Sequence, residues 1–328
     1  MHTVAIVGGE THIEEVTSLV GSRVQITGAA VRPEQTAWAR ERFEAPVYAN
    51  FEQMLAEVPC EIVVLANEND EKADVALYCL RSGKHLIVDK PMALRLHEVE
   101  RIEALASEKQ LRVLMLLTLR GNPWYRKVRE LIGAGTIGVP VQAYGKMSVE
   151  LARERRPAWF LDKERAGGPI LDLAIHTIDQ IEWVTGLWLT RVTAYETNIS
   201  DPRRQELVDS GAMFFRLSNG GTAVIEQNRL MPAGTGSDYR LNVVGTEGQV
   251  NLSFGRGISV ISSAGERRIA GADLQPPVSV VADWLASLAG GDALVPDWAS
   301  FRANKIACLA KNAADTGTTV EIPRLGSR

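Results

Sequence analysis

Short apolar runs alternate with amphipathic stretches over the first 120 residues of the chain. In the amphipathic stretches apolar residues recur at helical spacing, as Val99, Ile102 and Ala106 do. Strands that alternate with helices are typical of βα units and of a parallel sheet. We therefore predict an α/β fold that begins with a doubly wound parallel sheet. The predicted strands are 3–7, 24–29, 61–66, 85–89 and 111–117, and the predicted helices are 34–42, 51–57, 72–81 and 95–109.

The pattern changes beyond residue 120 to longer strands of alternating polarity. Turns rich in glycine and asparagine, at 218–221 and 245–248, suit tight reversals between such strands. We predict two domains, 1–120 and 121–328, of which the second is α+β with a mostly antiparallel sheet. Its predicted strands are 139–150, 190–197, 207–217, 221–229, 239–245 and 249–254, followed by helices at about 277–289 and 298–314.

Composition narrows the classes of function. The 328 residues are 45% hydrophobic and 23% charged, with a formal net charge of −4 and interspersed signs, so we expect no nucleic-acid partner. No run approaches the ~20 apolar residues of a membrane span, and we expect no membrane association. Three cysteines without CxxC spacing argue against a zinc site or a disulfide framework. The amino terminus resembles no signal peptide, which predicts a cytoplasmic protein.

The turn after the first strand departs from the G-x-G-x-x-G pattern of dinucleotide-binding folds. Gly8 fills the first position, but Glu10 and Ile13 stand at the second and third. Gly9 lies between them and leaves a shifted turn open, so Gly8, Gly9 and Thr11 remain candidate cofactor contacts. A competing interpretation is structural: the run from Thr11 to Glu14 fits a capping box, which would use up amide donors that a phosphate needs.

The end of the second strand bears on the choice between NAD and NADP. An NAD site typically presents an acidic residue there, whereas an NADP site presents a cation to the 2′-phosphate. The chain has no acid at this point and has Arg32. The sequence therefore leans weakly towards NADP, against the alternative that Arg32 is an ordinary surface residue.

Candidate chemistry lies in two separate segments. Asp89-Lys90-Pro91 follows a predicted strand, and Pro91 restricts Lys90 to extended backbone. A second segment, Gly167 to Asp179, predicts a helix start with Asp172 and His176 four residues apart on one face. An aspartate at that spacing can orient an imidazole, and a lysine with an Asp/His pair can act on one alcohol. The open alternatives are a surface lysine, a structural histidine, and a His/Asp/Asp metal site, for which no further ligands are evident.

These motifs together resemble the Gfo/Idh/MocA oxidoreductases, the group of glucose–fructose oxidoreductase and inositol dehydrogenase. The resemblance covers nearly the whole chain. It implies a Rossmann domain followed by an α+β domain with a large, mostly antiparallel open sheet that is used in oligomers, so we expect a homodimer or homotetramer. The segments that carry it are 83–91, 135–138, 167–179 and 245–248.

The resemblance also implies roles for particular residues. Lys90 would contact the substrate hydroxyl and the nicotinamide, His176 would be the general acid/base, and Asp172 would assist it. The family usually has the sequence Thr-Pro-Asn in the loop that here contains Ala66, Asn67 and Asn69. A histidine often follows that loop in the family, and this chain has Lys72 there. We thus expect cofactor contacts from Ala66, Asn67, Asn69, Asp89 and Lys90. Candidate walls of a sugar pocket are Trp124, Trp159, Phe160 and Tyr239, with Trp159 the one we assign to substrate.

The leading hypothesis is an NAD(P)-dependent oxidoreductase that acts on a secondary alcohol of a carbohydrate, polyol or cyclitol. Two alternatives stay open. The altered first turn would suit a cofactor-poor sugar-binding or regulatory protein on the same fold. An NAD-assisted glycosidase or lyase would oxidise its sugar only transiently. Net production of NADH distinguishes a dehydrogenase from this last class.

Overall fold

The computed structural model describes residues 1–9 and 12–324. They form two compact units, each assembled from two stretches of chain. The first unit consists of Met1–Leu117 and Ser279–Asn304, and the second of Thr118–Val278 and Lys305–Arg328. Among the described residues, no helix has both the length and the apolar character needed to cross a bilayer.

The first unit contains the predicted parallel sheet. Its six strands are ordered β3-β2-β1-β4-β5-β6, the order of a doubly wound dinucleotide-binding fold. Central strands of such a sheet are covered on both faces, which explains why all five residues of β4 are buried. The strands are β1 His2–Gly8, β2 Val24–Ala30, β3 Val47–Tyr48, β4 Ile62–Ala66, β5 His85–Val88 and β6 Val113–Met115.

Helices follow the strands as the periodicity predicts. The first is a single turn without a side-chain cap. The capping box proposed from the sequence depends on Thr11, which lies outside the described residues. The helices of this stretch are α1 Glu14–Thr17, α2 Thr36–Arg42, α3 Phe51–Glu57, α4 Lys72–Arg81 and α5 Leu96–Glu108.

The remaining elements, in chain order, belong mostly to the second unit. The pattern had not revealed α6, α7, β13, β14 and β15. The elements are α6 Pro123–Gly133, β7 Pro140–Ser148, α7 Lys163–Ala166, α8 Ile175–Thr185, β8 Leu189–Thr197, β9 Ser210–Leu217, β10 Thr222–Asn228, β11 Asp238–Gly245, β12 Gly248–Ser253, β13 Gly257–Ser262, β14 Gly265–Ile269, α9 Val280–Ser287, α10 Asp297–Thr316 and β15 Val320–Glu321.

Nine of these strands form the large open sheet of the second unit. Their order is β14-β13-β12-β11-β7-β10-β9-β8-β15. Among the described residues, the strand pairings within it are antiparallel except that of β7 with β10, which is parallel. The predicted α+β architecture with a mostly antiparallel sheet is confirmed.

The stretch Ser279–Asn304 belongs to the first unit, although the sequence placed it in a second domain spanning 121–328. The reason is the open edge of β6. Asp297 and Ser300 accept hydrogen bonds from the amides of Val113 and Met115, both at 2.9 Å. Since unpaired edge amides need partners, side chains from a distant helix serve that need. A contact between residues 185 positions apart leaves no local sequence signal.

Candidate functional site

The segment Asp89-Lys90-Pro91 directly follows β5, at the carboxyl edge of the parallel sheet where such folds bind ligands. Asp89 and Lys90 are both buried. The Asp89 carboxylate accepts a hydrogen bond from the Lys90 amide at 2.8 Å. A short local bond of this kind holds the backbone at the base of the Lys90 side chain.

A second lysine supports the same segment. The ammonium of Lys72, at the start of α4, is fully buried. Its Nζ donates to the Asn69 side-chain oxygen at 2.9 Å and to the carbonyls of Asp89 and Pro91, both at 3.1 Å. Burial, opposed by Asp89 and reinforced by Lys90, lowers the pKa of Lys72 to about 8. Lys72 therefore joins the loop after β4 to the segment that carries Lys90.

His12 completes this cluster. Its Nδ1 lies 2.9 Å from Asp89 Oδ1, and its backbone adopts a left-handed conformation with φ of 54°. Burial of Asp89 opposes ionisation, but His12, Lys72 and Lys90 outweigh it and hold the Asp89 pKa well below its usual value. Asp89 is consequently an ionised hub between the first turn and the Lys90 segment. The sequence had assigned His12 only to a capping box.

The two glycines of the first turn are required by packing. Gly8 has φ of +80°, and a side chain there would come within 2.4 Å of the Asn67 amide nitrogen. A side chain on Gly9 would come within 2.4 Å of the Trp38 ring. Close approach of the loop after β4 to Gly8, and of the Trp38 ring to Gly9, thus explains both glycines without a ligand. Their cofactor contacts, and that of Thr11, stay predictions.

The carboxyl edge nevertheless has features that fit a bound dinucleotide. The side-chain oxygen of Asn67 is buried and has no hydrogen-bond partner among the described residues. It follows β4 directly, beside the close approach at Gly8. A buried acceptor without a partner is rare and calls for an explanation, and a ligand donor at this edge is one.

Arg32 lies at the end of β2, as predicted, but two carboxylates hold it. Its Nη1 lies 2.5 Å from Glu68 Oε1, and its Nε lies 3.3 Å from Glu34 Oε1. Glu68 is buried in the loop after β4. A cation already compensated in this way is a weaker partner for a 2′-phosphate than the sequence suggested.

The helix that carries His176 lies close against the large sheet of the second unit. Gly145 on β7 allows this approach, since a side chain there would come within 2.0 Å of the Thr177 methyl group. Asp172 lies in a π-helical turn, Ile170–Ala174, that leads into α8. Such turns recur at functional sites. The predicted helix is thus two segments, and Asp172 and His176 are both buried.

Asp172 pairs with a residue that the sequence did not single out. The guanidinium of Arg229, from the chain directly after β10, forms a buried ion pair with the Asp172 carboxylate. Arg229 also stacks over the ring of Phe160, with its Cζ 4.7 Å from the ring centroid. These three residues line one small cavity that is partly open to solvent. The sequence pattern made Arg229 the last residue of a predicted strand. Only the folded structure shows that it pairs with Asp172.

Asp179 and Trp159 both make contacts within the protein that explain their burial. Asp179 forms a buried two-bond pair with Arg120, with Nη2 2.6 Å from Oδ1. Trp159 is buried and packs edge-on against Phe160. It is Phe160, and not Trp159, that lines the cavity beside Asp172. The assignment of Trp159 to substrate stays a prediction, as does that of Asp172 and His176 to catalysis.

Two family models match the chain. Residues 3–117 match the oxidoreductase family with an NAD-binding Rossmann fold, and residues 125–251 match the GFO/IDH/MocA C-terminal domain. The protein belongs to the GFO/IDH/MocA family. It is an oxidoreductase by that membership, and the resemblance stated from the sequence is confirmed.

Relatives named as inositol dehydrogenases match 76% to 96% of the chain. Inositol 2-dehydrogenase 1 of Saccharopolyspora erythraea is 25% identical over 96% of this chain and 93% of its own. The scyllo-inositol 2-dehydrogenase (NAD(+)) of Bacillus subtilis is 24% identical over 76% of this chain and 72% of its own. The structure of levoglucosan dehydrogenase with NADH has a TM-score of 0.83, with 20% identity over 99% of this chain and all of that one.

The candidate residues of this GFO/IDH/MocA protein thus fall into two groups. Lys90, Asp89 and the residues around Lys72 belong to the first unit, whereas Asp172, His176 and Arg229 belong to the second. Within each unit the structure brings them together. Joint action of Lys90 and His176 stays a prediction. Residues 1–9 and 12–324 hold no cluster of three or more His, Cys, Asp or Glu side chains suited to a metal.

The lowered pKa of Lys72 predicts a pH-dependent stability. An unfolded lysine keeps the ordinary pKa of 10.5, so between pH 8 and 10.5 the unfolded chain binds more protons than the folded one. We expect stability of the wild type to rise with pH there, relative to Lys72→Met, by at most about 1.4 kcal/mol per pH unit. Urea unfolding at several pH values measures the difference.

The exposed Lys109→Met variant is the matched control, and its stability should follow the wild type at every pH. A difference between wild type and Lys72→Met that does not change between pH 8 and 10 would contradict the assignment of a depressed pKa to Lys72.

Proposed function

We propose that the protein is an NAD(P)-dependent dehydrogenase or reductase of a secondary alcohol in a sugar, polyol or cyclitol. The observation that carries the proposal is the buried Asp172 that lines a solvent-open cavity, with the buried His176 four residues further along the chain, in a protein whose other unit is an NAD-binding domain by family. The relatives named for inositol support a cyclic polyol as the class of substrate.

The nicotinamide ring, when bound, supplies the acceptor or donor of the hydride. Gly8, Ala66, Asn67 and Asn69, at the carboxyl edge of the parallel sheet, would hold the dinucleotide together with Asp89 and Lys90. Asp89 is ionised and compensated by His12 and Lys72, so it keeps the Lys90 backbone in place. The role of this cluster is therefore to position one ammonium group.

In the oxidative direction, the imidazole of His176 takes the proton of the substrate hydroxyl as its carbon gives up a hydride and becomes a carbonyl. The Lys90 ammonium stabilises negative charge on the same oxygen. Asp172, four residues before His176, favours the imidazolium that results, and Arg229 limits this effect because it shares the carboxylate. Reduction of a ketone reverses each of these steps.

Loss of either acid/base group should remove turnover and not folding. We expect Lys90→Met and His176→Ala each to lower kcat/KM on the true substrate by about 10²-fold or more. Steady-state kinetics that follow NAD(P)H at 340 nm measure this. Exposed residues provide the controls, Lys109→Met and His97→Ala, whose rates should equal that of the wild type.

A near-normal rate in either active-site variant would contradict the assignment of Lys90 and His176 to catalysis. Consumption of sugar without net NADH would favour transient oxidation, as in an NAD-assisted glycosidase or lyase. A folded protein that binds neither nucleotide would favour the cofactor-poor binding protein.

The preference between NAD and NADP rests on Arg32. We infer that Arg32 still contributes to NADPH binding, although Glu68 and Glu34 compensate its charge. Arg32→Ala should weaken the binding of NADPH by about 10-fold, as loss of one charge-assisted hydrogen bond does. The affinity for NADH should stay nearly unchanged. Isothermal titration with each nucleotide measures both constants.

Arg40→Ala, an exposed change on the neighbouring helix α2, is the control for that titration. Equal losses of affinity for NADH and NADPH in the Arg32→Ala variant would refute a specific role of Arg32 towards the 2′-phosphate.

We also infer that the open sheet of the second unit joins copies of the chain into a homodimer or homotetramer. Its outward face exposes large apolar side chains on three strands, Tyr195, Phe214 and Val244. A face of this kind is typical of a protein interface. Sedimentation equilibrium of Phe214→Glu should show dissociation, whereas the exposed loop variant Ile199→Glu should keep the mass of the wild type. A monomeric wild type would disprove the interface.

A further inference from the structure

The cavity of the second unit is lined by an excess of cations. Its charged lining residues are Lys163, Asp172 and Arg229, two positive and one negative. The carboxylate of Asp172 is already paired with Arg229. A neutral sugar in this cavity would leave the excess positive charge uncompensated, whereas a singly charged anion would balance it.

Arg229 has one nitrogen that no described residue of the protein satisfies. Its side chain is only 7% exposed, and its Nη1 has no hydrogen-bond partner in the described part of the chain. The other nitrogen, Nη2, binds Asp172. A buried guanidinium with an unused donor, lining a cavity, is an incomplete recognition site, because buried donors nearly always have partners.

A second guanidinium strengthens the case for an anion. The Cζ atoms of Arg156 and Arg229 lie 4.3 and 4.7 Å from the centroid of the Phe160 ring. Burial, followed by the positive charge of Arg156, lowers the pKa of Arg229 to about 9. Two guanidinium groups that repel each other over one ring would be stabilised by a negative group beside them.

We propose that this cavity selects a substrate that carries a carboxylate, a sugar acid such as a uronate or an aldonate, and that Arg229 binds the carboxylate. The proposal rests on the proposed function, whose substrate class it narrows. Arg156 is not among the residues that line the cavity, and one negative charge equals the excess charge of those that do, which favours a carboxylate over a phosphate.

Calorimetric titration into the intact protein with saturating NADH tests the assignment without requiring turnover. The probes are two matched pairs, D-glucuronate with D-glucose and D-gluconate with D-glucitol, and D-glucose 6-phosphate. In at least one pair the acid should bind about 10-fold or more tightly than its neutral partner, the effect of one charge-assisted hydrogen bond. Arg229→Met should reduce the ratio of the two dissociation constants, that of the neutral compound over that of the acid, to near 1.

Two further variants keep the result decisive if Arg229→Met fails to fold. Arg156→Met should reduce the same ratio partially, because it removes the second cation over Phe160. Arg155→Met, adjacent in sequence but 75% exposed, should leave the ratio unchanged. Circular dichroism and NADH binding establish that each variant is folded.

Each remaining outcome counts against the proposal. Neutral partners that bind as tightly as the acids, or no binding of any acid, would overturn it. Tighter binding of the phosphate than of both acids would overturn the choice of a carboxylate. Turnover of neutral polyols with net NADH in those cases would keep the proposed function intact, so the two failures are distinguishable.

Discussion

A buried ammonium ion needs oxygen partners, and this requirement shapes the candidate site of the first unit. Lys72 is completely buried, and its three hydrogen bonds go to the loop after β4 and to two carbonyls that flank Lys90. Leaving such a charge unpaired would be far more costly than any single apolar contact could offset. The position of the Lys90 backbone therefore depends on a residue that itself need not touch a substrate.

Asp89 extends this dependence to the first turn of the chain. Lys72 and Lys90 both favour its ionised form, and His12 Nδ1 lies 2.9 Å from its Oδ1. A dinucleotide fold normally uses glycines in this turn to bring backbone close to a phosphate. In this chain Gly8 and Gly9 meet the loop after β4 and the Trp38 ring, while His12 reaches back to Asp89. The turn is coupled to the Lys90 segment by charge.

The second unit holds its candidate residues by packing and by a different buried ion pair. The absence of a side chain at Gly145 lets α8 lie against the sheet, and the preceding π-helical turn carries Asp172 to Arg229. Both units thus place a carboxylate against a cation in a buried setting. In the first the charges are satisfied within the protein, whereas in the second Arg229 retains an unused donor among the described residues.

Local patterns were sufficient for most of the architecture. Apolar runs such as β4 and helical stripes such as that of α5 carry their own signal, because burial of each element depends on its own periodicity. Family motifs likewise pointed to Lys90, Asp172 and His176, since these are close to distinctive glycines and a proline. The helix α6 and the hairpin β13–β14 were missed, because short or weakly patterned elements depend more on packing.

By itself, the sequence determined the doubly wound sheet, the antiparallel second half, the family and the identity of the candidate acid/base residues. Only the tertiary structure decided that Ser279–Asn304 completes the first unit, that Lys72 and His12 support the Lys90 segment, and that Arg229 pairs with Asp172. The physical reason is sequence distance. A buried charge is satisfied by whichever partners the fold brings near it. Two carbonyls that hold Lys72 lie 17 and 19 residues away, and the carboxylate that pairs with Arg229 lies 57 residues away.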